Sequence, residues 1–384
     1  MNLKVLHIAN DYSGSNVYKN LCLSLDKLPV DQFIYTAIRS DNLRDKNLVQ
    51  FRNESEIFYR KVLNLFTRVD YFGKISKCVK DLIEVVEVQK CDLIHAHTWF
   101  SDGGVAYELK KRFGKPYIVT VRNTDLNIFF KYFIHLRRYG RDILENSEKI
   151  IFISPVYLDR LLSKGLFLRN LKILRDKSLI IPNGVDDFWI ENVILHKKRF
   201  PAKPPQLVYV GNFKPGKNVF RLMKAVEHLN KTGLKCTLHL IGGDQSNFSR
   251  LLKAMTCPDA FINHGILSDK GRIKEIFRTC DIFTMPSKGE TFGLVYVEAL
   301  SQGLPIIYTK NEGIDGYYEN VGEAVNANST ESISENIKKV YSNYSNYNFS
   351  PSTIVNNHNW EVIGETYFEI YHTCKRVVSP NSQH

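Results

Sequence analysis

Asp281-Ile-Phe-Thr-Met-Pro-Ser287, Lys288-Gly-Glu290-Thr-Phe-Gly-Leu-Val-Tyr-Val-Glu298 and Ala299-Leu-Ser-Gln-Gly303-Leu-Pro-Ile-Ile307 run on without a break, and in order they read as strand, loop, helix and strand. The first strand leaves through Pro286-Ser287, the helix ends at Gly303, and Pro305 opens the next strand. In a parallel α/β sheet, ligands bind beyond the carboxyl ends of the strands, which is where Ser287 to Leu294 fall. Gly293 lets the backbone turn tightly into the helix, so the N–H groups of Phe292, Gly293 and Leu294 can point at an anion such as a diphosphate. Glu290 and Glu298, acceptor-only carboxylates with seven residues between them, suit sugar and ribose hydroxyls. Taken alone, the pair is equally an ordinary helix residue and an N-terminal charge favoured by the helix dipole.

The rest of the chain repeats the alternation. Strand-like Lys4 to Ala9, Phe33 to Arg39, Leu93 to His97, Tyr117 to Val121, Ile150 to Ile153 and Leu179 to Ile181 are interleaved with helical Asn16 to Leu28, Ile75 to Val88 and Gly104 to Phe113. A second set runs through Gln206 to Val210, Thr237 to Ile241, Ala260 to Asn263, Ile282 to Met285 and Ile306 to Thr309. This predicts two doubly wound, Rossmann-like α/β domains facing a central cleft. The polar, proline-bearing stretch Asn192 to Pro205 has the composition of a linker, giving domains over residues 1–190 and 205–355 and a terminal helical segment over 356–384. The Ser-, Asn- and Tyr-rich run from Tyr341 to Pro351 predicts an irregular loop.

At 384 residues, 43% hydrophobic, the chain has the length of two ordinary globular domains and is not of disordered type. No signal peptide is evident and no run approaches a membrane span. Seven cysteines without a Cys-x-x-Cys pair fit reduced thiols in a cytoplasm better than a disulfide framework or a zinc site. The net charge of +12 is concentrated centrally: residues 101–250 hold 27 Lys+Arg against 13 Asp+Glu. Part of that excess, Lys131 to Arg138 behind Phe129 and Phe130, mixes aromatics and cations as interfacial helices do, which predicts contact with an anionic membrane surface. A solvated basic face with its aromatics in the core explains the same residues. No zinc-finger, RNP or basic-zipper signature is present, and no nucleic acid partner is expected.

Val210-Gly211-Asn212-Phe-Lys-Pro-Gly216-Lys217-Asn218 joins a strand to a helix and is one residue from a phosphate-cradling P-loop, with Asn218 where Ser or Thr would ligate magnesium. Gly242-Gly243-Asp244 ends another strand and permits close backbone approach to a ribose or base. No hydrolytic elbow, His-Glu-x-x-His, EF-hand loop or Asp-x-Asp occurs, so no metal and no cofactor is expected.

The glutamate pair at this spacing resembles the hallmark of the family-4 glycosyltransferases of the GT-B fold, and the resemblance spans nearly the whole chain. It implies a retaining enzyme that moves a hexose-type sugar from a nucleoside-diphosphate donor to a saccharide or lipid-linked saccharide acceptor. It directs Lys217 at the donor diphosphate. Asn212 stands where the family usually carries an arginine. Gly211, Gly242, Gly243, Thr291, Phe292, Gly293, Leu294 and Glu298 become donor-binding residues, Ile266 belongs to the base-binding loop, and Gly14 to a small-residue loop near the diphosphate. Thr120-Val-Arg122-Asn-Thr-Asp125 is similar to a motif normally reading Thr-x-His-Gly-x-Asp. Arg122 departs from its histidine and is expected to act electrostatically, beside Glu290 and Lys217 as the catalytic set. His97 and Asp125 are expected to contact the acceptor. In this family the last helix crosses back onto the first domain. Bacterial surface-polysaccharide synthesis in the cytoplasm, at the inner face of the plasma membrane, is the setting the resemblance suggests. A sugar-nucleotide epimerase or glycosyl phosphorylase shares the same fold, and an inactive membrane- or nucleic-acid-binding scaffold is the alternative that the departures at Asn212 and Arg122 leave open.

Overall fold

A computed structural model describes residues 2–195 and 200–377. The middle of the predicted linker, residues 196–199, and the tail, residues 378–384, lie outside the described residues.

Two compact units emerge. The first holds a seven-stranded sheet in the order β3-β2-β1-β4-β5-β6-β7: Glu56–Lys61, Val30–Ile38, Leu3–Ile8, Leu93–Ala96, Tyr117–Val121, Lys149–Phe152 and Ser178–Ile180. The second holds six strands in the order β10-β9-β8-β11-β12-β13: Phe261–Asn263, Thr237–Ile241, Gln206–Val210, Ile282–Thr284, Ile306–Thr309 and Gly322–Val325. Every neighbouring pair is parallel. Both sheets reverse direction of winding beside their first strand, between β1 and β4 and between β8 and β11. The crevice of a doubly wound sheet opens beyond the carboxyl ends of those strands. The runs Leu93-Ile94 and Ile282-Phe283-Thr284 are buried throughout, as strands covered on both faces must be.

The unit boundary falls at Gly184/Val185, earlier than the linker composition placed it. The physical reason is that residues 185–195 are tied into the second unit. Trp189 is buried in its core against Phe277, the Ile194 amide donates to the Ser301 carbonyl, and the Gln302 amide nitrogen reaches the Asn192 carbonyl. The helix Trp360–Val377 belongs to the first unit, burying Ile363, Tyr367, Tyr371 and Cys374 among Leu3, Val5, Leu21 and Leu25. The run expected to be an irregular loop is more ordered than its composition suggests. Tyr344 and Tyr347 are buried, their hydroxyls donating to the Asp281 carbonyl and the Glu323 carboxylate.

Candidate functional site

In the second unit the loops leaving β8 and β11 converge. Lys217, at the end of the short turn Pro215–Lys217, places its ammonium 2.5 Å from Glu290 Oε2, and both side chains are partly buried. The chain that carries them is pinned by Asn218, whose backbone is left-handed (φ 59°). Its buried Nδ2 donates to the carbonyls of Pro286, at 2.9 Å, and Ala327, at 2.7 Å. That geometry is what an asparagine at the last P-loop position provides: a strap between three loops, and Asn is one of the few side chains at ease at positive φ. The Lys288 amide adds a further tie to the Gly216 carbonyl.

The helix Leu294–Ser301 starts at Gly293, left-handed at φ 81°, with no capping side chain. A Cβ on Gly293 would stand 2.6 Å from the Tyr296 ring and 2.9 Å from Glu290 Cγ, so the tight turn read from the sequence admits glycine alone. The Tyr296 amide is taken by the Gly293 carbonyl, and the amides before it, at a helix start with no preceding turn, leave a positive helix end beside the Lys217–Glu290 pair. Phe292, between Thr291 and Gly293, is buried and packs edge-on against Tyr317. The loop around Gly313 closes on Phe292 and Glu290, since a Cβ there would meet the Phe292 carbonyl at 2.9 Å.

Glu298, more than a turn further along, is half-buried. Burial pushes its carboxyl up to about 7, against a smaller lowering by Lys270, and the Trp189 indole donates to it. Lys270 itself is ion-paired with Asp186. The result is a carboxyl kept short of solvent with one donor supplied.

The glycines on the neighbouring strands answer to packing as much as to any ligand. A Cβ on Gly242 would sit 2.6 Å from the Gly211 carbonyl oxygen, and one on Gly243 would enter the Phe213 ring. Gly211 and Gly242 both take positive φ. The Asn212 side chain accepts from the Lys214 amide, 3.2 Å away, so it braces the loop locally in the position the family gives to arginine. Ile266, in the loop after β10, is 72% exposed.

In the first unit, Arg122 leaves β5. Its Nε donates to the His97 carbonyl, a terminal nitrogen donates to Asn183 Oδ1 at 3.0 Å, and its guanidinium lies over the Tyr18 ring. Gly14 abuts Asp11, whose carboxylate occupies the space a Cβ would need. The two residues expected to contact the acceptor both lie inside the unit. Asp125 is buried, with both oxygens taking backbone N–H groups, from Trp99, Phe100 and Arg122 at 2.9–3.1 Å, and so fixes the loops. His97 is buried too, sharing a 3.0 Å hydrogen bond with His7 and standing 3.9 Å, ring to ring, from His95. Desolvation holds all three imidazoles well below their usual range, so they are neutral. Among the described residues His7, His95 and His97 are the one group with metal-ligand spacing, but both His95 nitrogens already face Tyr371 and Thr120 hydroxyls.

Sequence reasoning missed Asn218's strap, Trp189 beside Glu298 and the Gly313 loop. Asn218 carried a signal, an asparagine in a glycine-rich turn; the other two come from distant sequence and had none.

The family described as "Glycosyl transferases group 1" matches residues 191–351, and "Glycosyltransferase Family 4" matches residues 14–187. The chain is 26% identical over 273 residues to an uncharacterized glycosyltransferase of Methanocaldococcus jannaschii, covering 69% of this chain and 70% of that one. It is 22% identical over 341 residues to the alpha-monoglucosyldiacylglycerol synthase of Acholeplasma laidlawii, covering 84% and 83%. Its fold superposes on the apo structure of the lipopolysaccharide outer core galactosyltransferase WaaB with a TM-score of 0.71 at 16% identity, over 97% of this chain and all of that one. With both matched families lying end to end along two parallel-sheet units, the chain belongs to the GT-B glycosyltransferases of family-4 type.

Proposed function

We propose that this glycosyltransferase transfers a hexose-type sugar from a nucleoside-diphosphate donor, with retention of anomeric configuration and without a metal. The observation that carries the reading is the meeting of Lys217, Glu290 and the open helix end at Gly293, with Glu298 further along the same helix. The step to be catalysed leaves negative charge on the departing diphosphate. A preorganised ammonium and the first-turn amides stabilise that charge where it develops. The Lys217–Glu290 pair keeps both groups in place without a ligand; when the diphosphate arrives it takes the lysine's positive charge, and Glu290 turns to the sugar hydroxyls as acceptor. Glu298, ionised on binding, accepts from the ribose, and the apolar surface at Ile266 faces the base. Retention then follows from reaction on one face, with the leaving phosphate oxygen accepting the acceptor's proton, so no side-chain nucleophile is assigned. Arg122 supplies fixed positive charge for a phosphate or an acidic group on sugar or acceptor.

The acceptor we propose is a saccharide or lipid-linked saccharide, in surface polysaccharide or glycolipid synthesis at the inner face of the plasma membrane. The names of the relatives support this, one an alpha-monoglucosyldiacylglycerol synthase and another a lipopolysaccharide outer core galactosyltransferase. The test is release of nucleoside diphosphate from a panel of UDP-, GDP- and ADP-sugars in EDTA, with and without acceptor saccharides, and the product anomer read by NMR. Acceptor-dependent release with the anomer kept supports the reading. Turnover without acceptor points to an epimerase, and no turnover of any donor overturns it.

A further inference from the structure

We infer that the first unit carries a discrete site for one phosphate-bearing lipid, in a cavity of about 790 Å³ behind the irregular helix Asp125–Phe130. Five cations line it: Lys131, Arg137, Arg138, Arg160 and Lys164. None of the lining side chains described is a carboxylate. Lys131, Arg138 and Lys164 make no ion pair among the described residues, whereas lysines and arginines elsewhere on the chain commonly do. Arg137 is held in place: its Nε donates to the Phe130 carbonyl at 2.8 Å, and its guanidinium stacks on the Phe130 ring. That carbonyl and ring therefore aim a fixed cation into the opening.

The floor is apolar, formed by Leu126, Phe130 and Leu166, and continues outward through Ile134, 66% exposed. Ile128, Tyr132 and Leu168 extend the exposed apolar surface nearby. The two readings of Lys131 to Arg138 made from sequence are thus divided by position. Phe129 and Phe130 go to the core, while the isoleucines and Tyr132 stay outside. A free phosphate would use the cations and leave the apolar floor wet. A phosphate on an acyl or isoprenoid chain uses both, with the headgroup among the cations and the chain along Leu126, Phe130 and Ile134 toward the bilayer. The site rests on the membrane-facing acceptor reading for the source of its ligand; its chemistry stands on the cavity.

The test uses the full chain, dihexanoyl phosphatidylglycerol below its micellar concentration, inorganic phosphate, and vesicles of phosphatidylcholine with and without one third phosphatidylglycerol. The variants are Arg138→Ala with Lys164→Ala, and Ile134→Ser. Calorimetry is expected to show saturable one-to-one binding of the short-chain lipid. Each charge removed should weaken it about fivefold, and Ile134→Ser should weaken the lipid alone. Binding to anionic vesicles but not to the monomeric lipid would reduce the region to diffuse electrostatics and overturn the site. So would inorganic phosphate binding as tightly as the lipid, or affinity unchanged in the double variant. Nucleotide binding, measured on the same samples, reports on the second unit: its loss in the wild type would sink the transferase reading and leave the lipid result standing.

Discussion

Replacing Glu298 by glutamine separates a functional carboxylate from a structural one, because the two make opposite predictions for stability. The folded state raises this carboxyl from its ordinary 4.5 to about 7, chiefly by burial. A raised carboxyl binds more protons folded than unfolded between those values. Its favourable contribution is therefore complete below pH 4.5 and is lost as pH rises through 7. The full shift corresponds to roughly 3 kcal/mol of strain above neutrality, and the residual exposure of the side chain trims that to about 1–2 kcal/mol. Glutamine keeps the shape, can still accept from the Trp189 indole, and carries no charge to desolvate. The variant should thus be more stable than the wild type at pH 8 by about 1–2 kcal/mol, a rise of roughly 2–8 °C in melting temperature for a unit of this size. The advantage should vanish near the ordinary carboxyl value. Nucleotide affinity, by contrast, should fall, since a neutral amide is a poorer partner for ribose hydroxyls. Differential scanning calorimetry across pH, with titration of nucleotide at each point, reads both. A variant less stable than the wild type at pH 8 would make Glu298 an anchor of the fold and refute the reasoning.

Lys217→Ala should cut turnover by a factor on the order of hundreds, the scale of losing one partner to a transition-state charge; near-normal turnover would remove lysine from the mechanism. Asn218→Ala deletes two buried hydrogen bonds between the loops that carry Lys217 and lead to Glu290. Urea melts should show a loss of about 2–4 kcal/mol, and an unchanged midpoint would mean the strap is dispensable. The buried imidazoles give the first unit an acid limit: His7 is held down to about 3 and His95 and His97 well below 6.5, so the unfolded chain gains protons first. Stability should fall as pH drops below 6.5, by about 1.4 kcal/mol per pH unit for each histidine. Thermal melts between about pH 7 and 5 on Glu298→Gln check this; Asp102, which burial raises to about 7, opposes part of the slope, so the net fall is smaller than three histidines alone would give, and a stability that rises toward pH 5 would contradict neutral burial.

The fold was legible where strands are buried on both faces. Tyr117-Ile-Val-Thr-Val121 and Leu93 to Ala96 stand as read. The two strands that escaped notice, β3 and β13, lie at sheet edges, where Glu56, Arg60 and Lys61 or Gly322 and Glu323 break the apolar run because one side needs no covering. The same locality governed the site. Gly293, Glu290 and Lys217 announced themselves because their chemistry needs particular residues within a short span. A motif does not say which way a side chain faces: Asp125 turns inward to accept from Trp99 and Phe100, a backbone need that sequence does not display. The domain boundary moved because a proline-bearing polar stretch looks like a linker even when Trp189 anchors its approach.

The central claim is that the second unit clamps a nucleoside diphosphate through Lys217, the helix end at Gly293 and Glu298. Isothermal titration of UDP, GDP and ADP into the wild-type chain and Glu298→Gln, in EDTA, tests it most directly. One nucleotide binding selectively at one site per chain, and more weakly to the variant, is the predicted result; no binding of any of the three would contradict the account.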